Sequence, residues 1–199
     1  MFQAVESAYL VPFDGTFKLK NAASQPPENV PEKSVRKERL AALVETLSEL
    51  QHILYAHDHR AVLMIFQAMD AAGKDSTIRA VLSGVDPAGC EVTSFKRPSE
   101  TELSHDFLWR TSQRLPQRGR IGVFNRSYYE EVLTARVHPE LLDAQNLPHR
   151  PRKLAELWQQ RYESIRDHEK HQARSGTVIL KFWLNVSPNE QRDRLLARL

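Results

Sequence analysis

Cysteine, glycine and long apolar runs are all scarce in this sequence. Its 199 residues include one cysteine, Cys90, so no disulfide can form within the chain. Seven glycines are too few for a fibrous or low-complexity protein. The longest apolar run, Ala61 to Phe66, is far shorter than the roughly 18 residues that a membrane span needs. The opening residues lack the basic and apolar regions of a signal peptide, so we expect a cytoplasmic protein without membrane contact.

The composition is that of a globular chain whose basic residues are unevenly spread. Hydrophobic residues make up 41% of the sequence and charged residues 27%, which is enough apolar material for a core. The formal net charge is only +3, but arginines crowd two stretches, 110–126 and 150–174. Such clusters suit a polyanionic ligand, and they equally suit solvated helix faces.

The order of apolar patterns predicts an α/β fold. Residues 1–33 are predicted to form an extended N-terminal segment with a proline-rich linker, and residues 34–199 one domain. Ser34 is predicted to cap a long helix with one buried stripe of leucines, and capping boxes at Ser99 and Ser127 open two more helices. Apolar strands are predicted at 61–66, 91–96, 120–125 and 177–184. Strands that alternate with helices favour a parallel sheet with helices on both faces.

The turn after the first strand has features of a phosphate-binding loop. The segment from Gln67 to Ser76 runs from a strand into a helix, and such loops direct backbone N–H groups at an anion. The strict pattern of Gly, four residues, Gly-Lys and Ser or Thr fails at both ends, because Ala68 and Asp75 stand at its first and last positions. An ordinary turn with a surface lysine therefore stays open as an alternative. A carboxylate in a phosphate cradle needs a cation beside it, so Asp70 predicts bridging Mg²⁺.

A second candidate element follows the strand at 120–125. Enzymes with phosphate loops often place an acidic metal ligand at the end of a neighbouring strand, and here Asn125 stands there as a neutral oxygen ligand. Arg126 is suited to stabilise charge on a transferring phosphoryl group. The alternative for Arg126 is a surface ion pair with Glu130 or Glu131.

Longer blocks of the sequence resemble the family-2 polyphosphate kinases. They are FQAMDAAGKDSTIRAVLSGVDPAGCEVTSFKRPSETELSHDFLWR, GRIGVFNRSYYEEVLTARVHPELL and SGTVILKFWLNVSPNEQRDRL. The resemblance runs from about residue 34 to Leu199, and it implies a P-loop kinase-like fold. It also implies Mg²⁺ dependence, with Mn²⁺ as the alternative, and reversible phosphoryl transfer between inorganic polyphosphate and ADP or AMP. Asn-Arg-Ser-Tyr-Tyr, where many members have Asp-Arg-Ser-Trp-Tyr, resembles the branch that uses both AMP and ADP.

The resemblance assigns roles residue by residue. It implies that Asp70, Lys74 and Arg126 are catalytic, and that Asp70 and Asn125 hold metal. Phosphate or nucleotide would be bound by Ala71, Ala72, Gly73, Lys74, Asp75, Ser76, Thr77 and Glu130, and polyphosphate by Arg79, Lys96 and Arg118.

The resemblance also implies partners and a further structural element. We expect a homo-oligomer, dimer or tetramer, that binds polyphosphate and ADP, AMP or ATP and does not bind nucleic acid. The family has a helical lid that would follow Leu199, and we expect it to be missing from this chain because the sequence stops within an amphipathic helix. An ATP-dependent nucleotide or small-metabolite kinase is the alternative enzyme, and a basic nucleic-acid-binding module is the non-enzymatic alternative.

Overall fold

A parallel sheet of four strands carries the fold. The structure, a computed structural model, describes residues 5–198. The strands are β1 (Ala61–Ala68), β2 (Cys90–Ser94), β3 (Ile121–Asn125) and β4 (Thr177–Leu184). The helices are α1 (Lys33–His57), α2 (Lys74–Val81), α3 (Glu100–Leu103), α4 (Trp109–Ser112), α5 (Thr134–Val137), α6 (Leu154–Arg174) and α7 (Pro188–Leu196). Short 3₁₀ helices cover Leu19–Asn21, Pro87–Gly89, Tyr128–Glu131 and Pro139–Gln145.

The strand order places β1 in the interior of the sheet. The order is β2-β3-β1-β4, and every pairing is parallel. The chain leaves β1 towards β2 on one side and later crosses back from β3 to β4 on the other. The loop after β1 therefore lies at a topological switch point, where open α/β sheets bind their ligands.

Two hydrophobic clusters cover the two faces of the sheet, as the α/β pattern predicts. Leu63, Ile65 and Phe124 pack on one face against Ile165 of α6. On the other face Met64, Phe66 and Val123 pack against Ile78 of α2 and Leu47 of α1. No helix within residues 5–198 has both the length and the apolar character that crossing a membrane requires.

The predicted leucine stripe of α1 is only partly buried. Leu47 and Leu54 pack against the core, but Leu43 and Leu50 are 67% and 56% exposed. Val44, which is buried, follows Leu43 by one residue. One residue is about 100° of rotation on a helix. The stripe is wider than the face that the sheet covers, so its edge points to solvent.

The predicted helix starts are right in one case and wrong in two. Ser99 forms a complete capping box with Glu102, although the helix that follows is broken into α3 and α4. Ser34 caps nothing, because α1 already begins at Lys33. Ser127 accepts the N–H of Tyr129 and opens a 3₁₀ turn instead of pairing with Glu130. The predicted cap at Ser34 and the predicted capping box at Ser127 are therefore both wrong.

Candidate active site

The loop between β1 and α2 has the backbone geometry of an anion cradle. Gly73, the residue before α2, has φ +95°, and Ala71 has φ +63°, which is unusual for a residue other than glycine. The side chains of Ser76 and Thr77 both donate to the Gly73 carbonyl, at 2.8 and 3.0 Å. The first N–H groups of a helix have no partner within it, so the amino end of α2 presents donors to an anion. Asp75 stands where the strict phosphate-loop pattern has Ser or Thr, and the shared carbonyl singles out neither Ser76 nor Thr77 as a replacement for that hydroxyl.

The predicted residues of this loop differ in exposure. Ala71 and Ala72 are buried, Gly73, Lys74 and Thr77 are half-buried, and Asp70, Asp75 and Ser76 are exposed. The accessible surface of the loop is therefore mostly polar, with exposed Met69 as its apolar part.

Arg126 and Asp70, from two different strand ends, are brought together. Phe66 of β1 pairs with Asn125 of β3, and the N–H of Arg126 donates to the Phe66 carbonyl at 3.1 Å. Arg126 has φ +65°, a left-handed conformation that turns the chain over the sheet edge. Its Nη2 lies 3.2 Å from Asp70 Oδ1, and its Nη1 lies 3.9 Å from Glu130 Oε2. The ion pair with Glu130 that we gave as the alternative thus coexists with a contact to the phosphate loop.

Asn125 contacts Asp75 rather than Asp70. Its side-chain amide donates to Asp75 Oδ1, and more weakly to Ser94 Oγ at 3.3 Å. The carboxylate of Asp75 therefore does more than interact with the α2 dipole: it joins the phosphate loop to the end of β3. Two carboxylates, those of Asp70 and Asp75, stand on the two sides of the loop.

A partly buried polar network anchors the turn that follows Arg126. The hydroxyls of Tyr128 and Tyr129 donate to Glu169 Oε1 at 2.9 and 2.7 Å, and Lys181 Nζ lies 2.7 Å from Glu169 Oε2. Burial, and next the charge of Glu169, raise the pKa of both tyrosines, so both phenols stay protonated as donors. Glu169 thereby ties the Tyr128–Glu131 turn to α6 and β4.

Sequence reasoning missed the contacts that α7 makes with the loop and the contact that β1 makes with the turn after Arg126. Gln191 and Arg194 of α7 donate to loop carbonyls. Buried Gln67 donates to Ser127 Oγ at 3.1 Å. The α7 contacts follow from the pairing of β4 with β1, which makes the helix after β4 start beside the loop after β1.

The three predicted polyphosphate-binding residues lie in different places. Lys96 is exposed just beyond β2, at the same sheet edge as Lys74 and Arg126. Arg79 is exposed in the last turn of α2. Arg118 precedes β3 and is therefore at the opposite edge, roughly 20 Å from the loop at about 3.3 Å per strand residue. The N–H of the next residue, Gly119, donates to the carbonyl before β1, so the structure does not bring Arg118 to the site.

The family model described as polyphosphate kinase 2 matches residues 31–199. An ADP-polyphosphate phosphotransferase of Rhodopseudomonas palustris is 59% identical over 162 residues, which are 81% of this chain and 56% of that protein. An AMP/ADP-polyphosphate phosphotransferase of Meiothermus ruber is 44% identical over 195 residues, covering 96% of this chain and 67% of that protein. This chain therefore spans between about half and two thirds of the length of these relatives.

A solved structure shares the fold. The crystal structure of polyphosphate kinase 2 from Arthrobacter aurescens TC1 superposes with a TM-score of 0.81 at 37% identity. The match covers 92% of this chain and 62% of that one.

Proposed function

The chain belongs to the polyphosphate kinase 2 family, and from that premise we propose that it transfers the terminal phosphate of inorganic polyphosphate to ADP or AMP, reversibly. The observation that carries the proposal is the contact between Asp70 of the phosphate loop and Arg126 at the end of β3. It places an anion cradle, a carboxylate and a guanidinium at one edge of the sheet. The names of the two relatives support both ADP and AMP as acceptors.

The reaction needs positioning and charge neutralisation more than covalent chemistry. A terminal phosphate oxygen of the nucleotide attacks the end phosphorus of polyphosphate in line. The new P–O bond forms as the bond to the next phosphate breaks, and the shortened polyphosphate leaves with the electron pair. The attacking oxygen is already ionised, so no strong general base is required. Lys74 and Arg126 neutralise charge on the transferring group, and the loop N–H groups hold it in place.

The residues at the loop fit a Mg²⁺ ion, with Mn²⁺ as the alternative. Within residues 5–198 no three His, Cys, Asp or Glu side chains are grouped as a metal cage. Mg²⁺ at phosphoryl-transfer sites is usually held by one or two carboxylates together with waters and phosphate oxygens. Asp70 supplies such a carboxylate, and we keep Asn125 as a second oxygen ligand. When bound, the ion would neutralise phosphate charge beside Asp70.

Polyphosphate requires a basic path that leads away from the loop. We propose that Lys96 and Arg79 form it, because both are exposed and Lys96 shares the sheet edge with Lys74. Arg118 is left out because it lies at the opposite edge. Weaker polyphosphate binding at higher salt would support this path, since counterions compete for phosphate contacts.

We also propose that the protein forms a homo-oligomer. Leu43 and Leu50 of α1 are exposed on one side of the helix, and a second copy would cover them. Size-exclusion chromatography with light scattering tests this: a dimer or larger species that dissociates in Leu43→Glu supports it, and a monomer at all concentrations contradicts it.

The donor identifies the reaction. Three reactions are run with Mg²⁺: long-chain polyphosphate with AMP, ATP with AMP, and long-chain polyphosphate with ADP. The products are separated by chromatography. The experiment uses this chain and the chain extended by the helical lid of a longer relative. Turnover that requires polyphosphate supports the proposal. Turnover with ATP but not polyphosphate favours the ATP-dependent kinase instead.

A further inference from the structure

Helix α7 contacts the phosphate loop through side chains that donate to the loop carbonyls. Strand β4 pairs with β1 in parallel up to Ala68 and Leu184, so the helix after β4 starts beside the loop after β1. Ser187 caps α7 by accepting the N–H of Glu190 at 3.2 Å, which fixes where the helix begins. The side chains of Gln191 and Arg194, three residues apart, then lie on one helix face.

These two side chains hold consecutive carbonyls of the loop. Gln191 Nε2 donates to the Asp70 carbonyl at 2.9 Å. Arg194 Nη1 donates to the carbonyls of Ala71 and Ala72, at 3.3 and 3.0 Å. Glu190 Oε1 accepts from Arg194 Nε at 2.6 Å and so orients the guanidinium towards the loop.

The consequence for the cradle follows from the planarity of the peptide bond. In a trans peptide the carbonyl of one residue and the N–H of the next point in opposite directions. Residues 5–198 contain no cis peptide, so carbonyls turned towards α7 direct the following N–H groups away from it. The N–H groups of Ala71 and Gly73 therefore face the anion side of the loop. The N–H of Ala72, which lies between them, donates to the Met69 carbonyl at 3.3 Å.

The same contacts hold a backbone conformation that the loop would not otherwise keep. Ala71 has φ +63°, a left-handed conformation that a residue with a Cβ seldom adopts. Its carbonyl is one of the two that Arg194 binds. Loss of the α7 contacts would let the backbone on both sides of Ala71 relax and turn the N–H groups of Ala71 and Gly73 away from the ligand.

We propose that Gln191 and Arg194 are positioning residues, which keep the N–H groups of the phosphate loop directed at phosphate by holding its carbonyls against α7. An effect of these residues on turnover depends on the proposed function being right. The geometry itself can be tested without any transfer reaction.

The first test needs no ligand. Backbone ¹⁵N order parameters are measured for Ala71 and Gly73 in the unaltered chain and in Gln191→Ala and Arg194→Ala. Arg192→Ala is the matched control, because Arg192 lies on the same helix and, among residues 5–198, pairs with its neighbour Asp193 and not with the loop. We expect the loop values to fall from about 0.85, the rigid range, towards 0.6 in the first two variants and to stay unchanged in the control. Unchanged loop values in both variants would overturn the proposal.

The second test uses inorganic pyrophosphate with Mg²⁺ in calorimetric titrations. Gln191 carries no charge, so an effect of Gln191→Ala on affinity cannot come from lost attraction to the anion. We expect Gln191→Ala and Arg194→Ala each to raise the Kd about tenfold, the weight of one or two lost hydrogen bonds. Arg194→Lys, which can donate to one carbonyl but not hold Glu190 as well, should lie in between. If the Kd for pyrophosphate is unchanged in Gln191→Ala, Gln191 is not a positioning residue.

Salt dependence separates positioning from direct contact. A side chain that touches the anion reduces the slope of log Kd against log salt by about one when it is removed. We expect the slope to stay the same in Arg194→Ala, and a reduced slope would overturn the positioning role of Arg194. If even the unaltered chain fails to bind pyrophosphate, the proposed function is wrong, while the order parameters still decide the role of α7.

Discussion

Replacement of Arg126 should separate catalysis from stability. In the folded chain its guanidinium makes two ion pairs, with Asp70 at 3.2 Å and with Glu130 at 3.9 Å. The side chains of Arg126 and Asp70 are 43% and 76% exposed, and exposed pairs contribute about 0 to 1 kcal/mol each. Arg126→Gln should therefore cost at most about 2 kcal/mol of unfolding free energy. At roughly 2 to 4 °C per kcal/mol, the Tm should fall by no more than about 8 °C.

The effect of the same change on transfer should be much larger. One charged contact to a transferring phosphoryl group is worth roughly 3 to 5 kcal/mol in the transition state. That corresponds to a fall in kcat/KM of about 100- to 5000-fold. The assay follows ATP formed from ADP and polyphosphate, and unfolding is followed by circular dichroism. Arg150→Gln is the control, because Arg150 pairs with Asp143 away from the loop.

The backbone at residue 126 offers an internal check. Its φ of +65° is costly for arginine, by about 1 to 2 kcal/mol, but not for glycine. Arg126→Gly should therefore be at least as stable as Arg126→Gln and equally poor in transfer. If Arg126→Gln loses no more activity than its loss of folded protein explains, the catalytic role of the guanidinium is refuted.

Two further predictions concern the loop and the acid stability of the fold. A Cβ on Gly73 would lie 3.3 Å from Ser76 Oγ at a φ of +95°, so Gly73→Ala should lower the Tm by a few degrees and weaken pyrophosphate binding. Gly15→Ala is the control for strain alone, because Gly15 has φ +76° and no neighbour within 4 Å: it should also lower the Tm but leave pyrophosphate binding unchanged. Burial lowers the pKa of His168, so the unfolded chain takes up its proton first and stability falls as the pH drops below about 6.5. His168→Gln should reduce the fall in Tm between pH 7 and 5.5, whereas exposed His149→Gln should leave it unchanged, and equal curves for all three proteins would contradict this assignment.

The sheet was predictable because its strands are short apolar runs between polar turns. The strand at 177–184 was predicted with its observed bounds, and the others within two residues of theirs. Helix limits were harder to predict because local capping competes with tertiary contacts. Ser127 illustrates this, since its hydroxyl is also bound by buried Gln67, from β1.

The candidate site was predictable for residues at or shortly after the carboxyl end of a strand. Lys74, Asp70 and Arg126 were identified because parallel strands bring their carboxyl ends to one edge. Arg118 was assigned from resemblance alone, and its position before β3 puts it at the opposite edge of the sheet. The α7 contacts need the pairing of β4 with β1, which no local pattern encodes. The boundary at residue 33 and the cytoplasmic location stay predictions.

Transfer by the phosphate loop is tested most directly through Lys74. The rate of ATP formation from ADP, polyphosphate and Mg²⁺ is measured for the unaltered protein, for Lys74→Ala and for Lys170→Ala, an exposed lysine on α6. The account predicts turnover that requires polyphosphate, a loss of at least about 100-fold in Lys74→Ala and an unchanged rate in Lys170→Ala. Turnover at the unaltered rate in Lys74→Ala would contradict it.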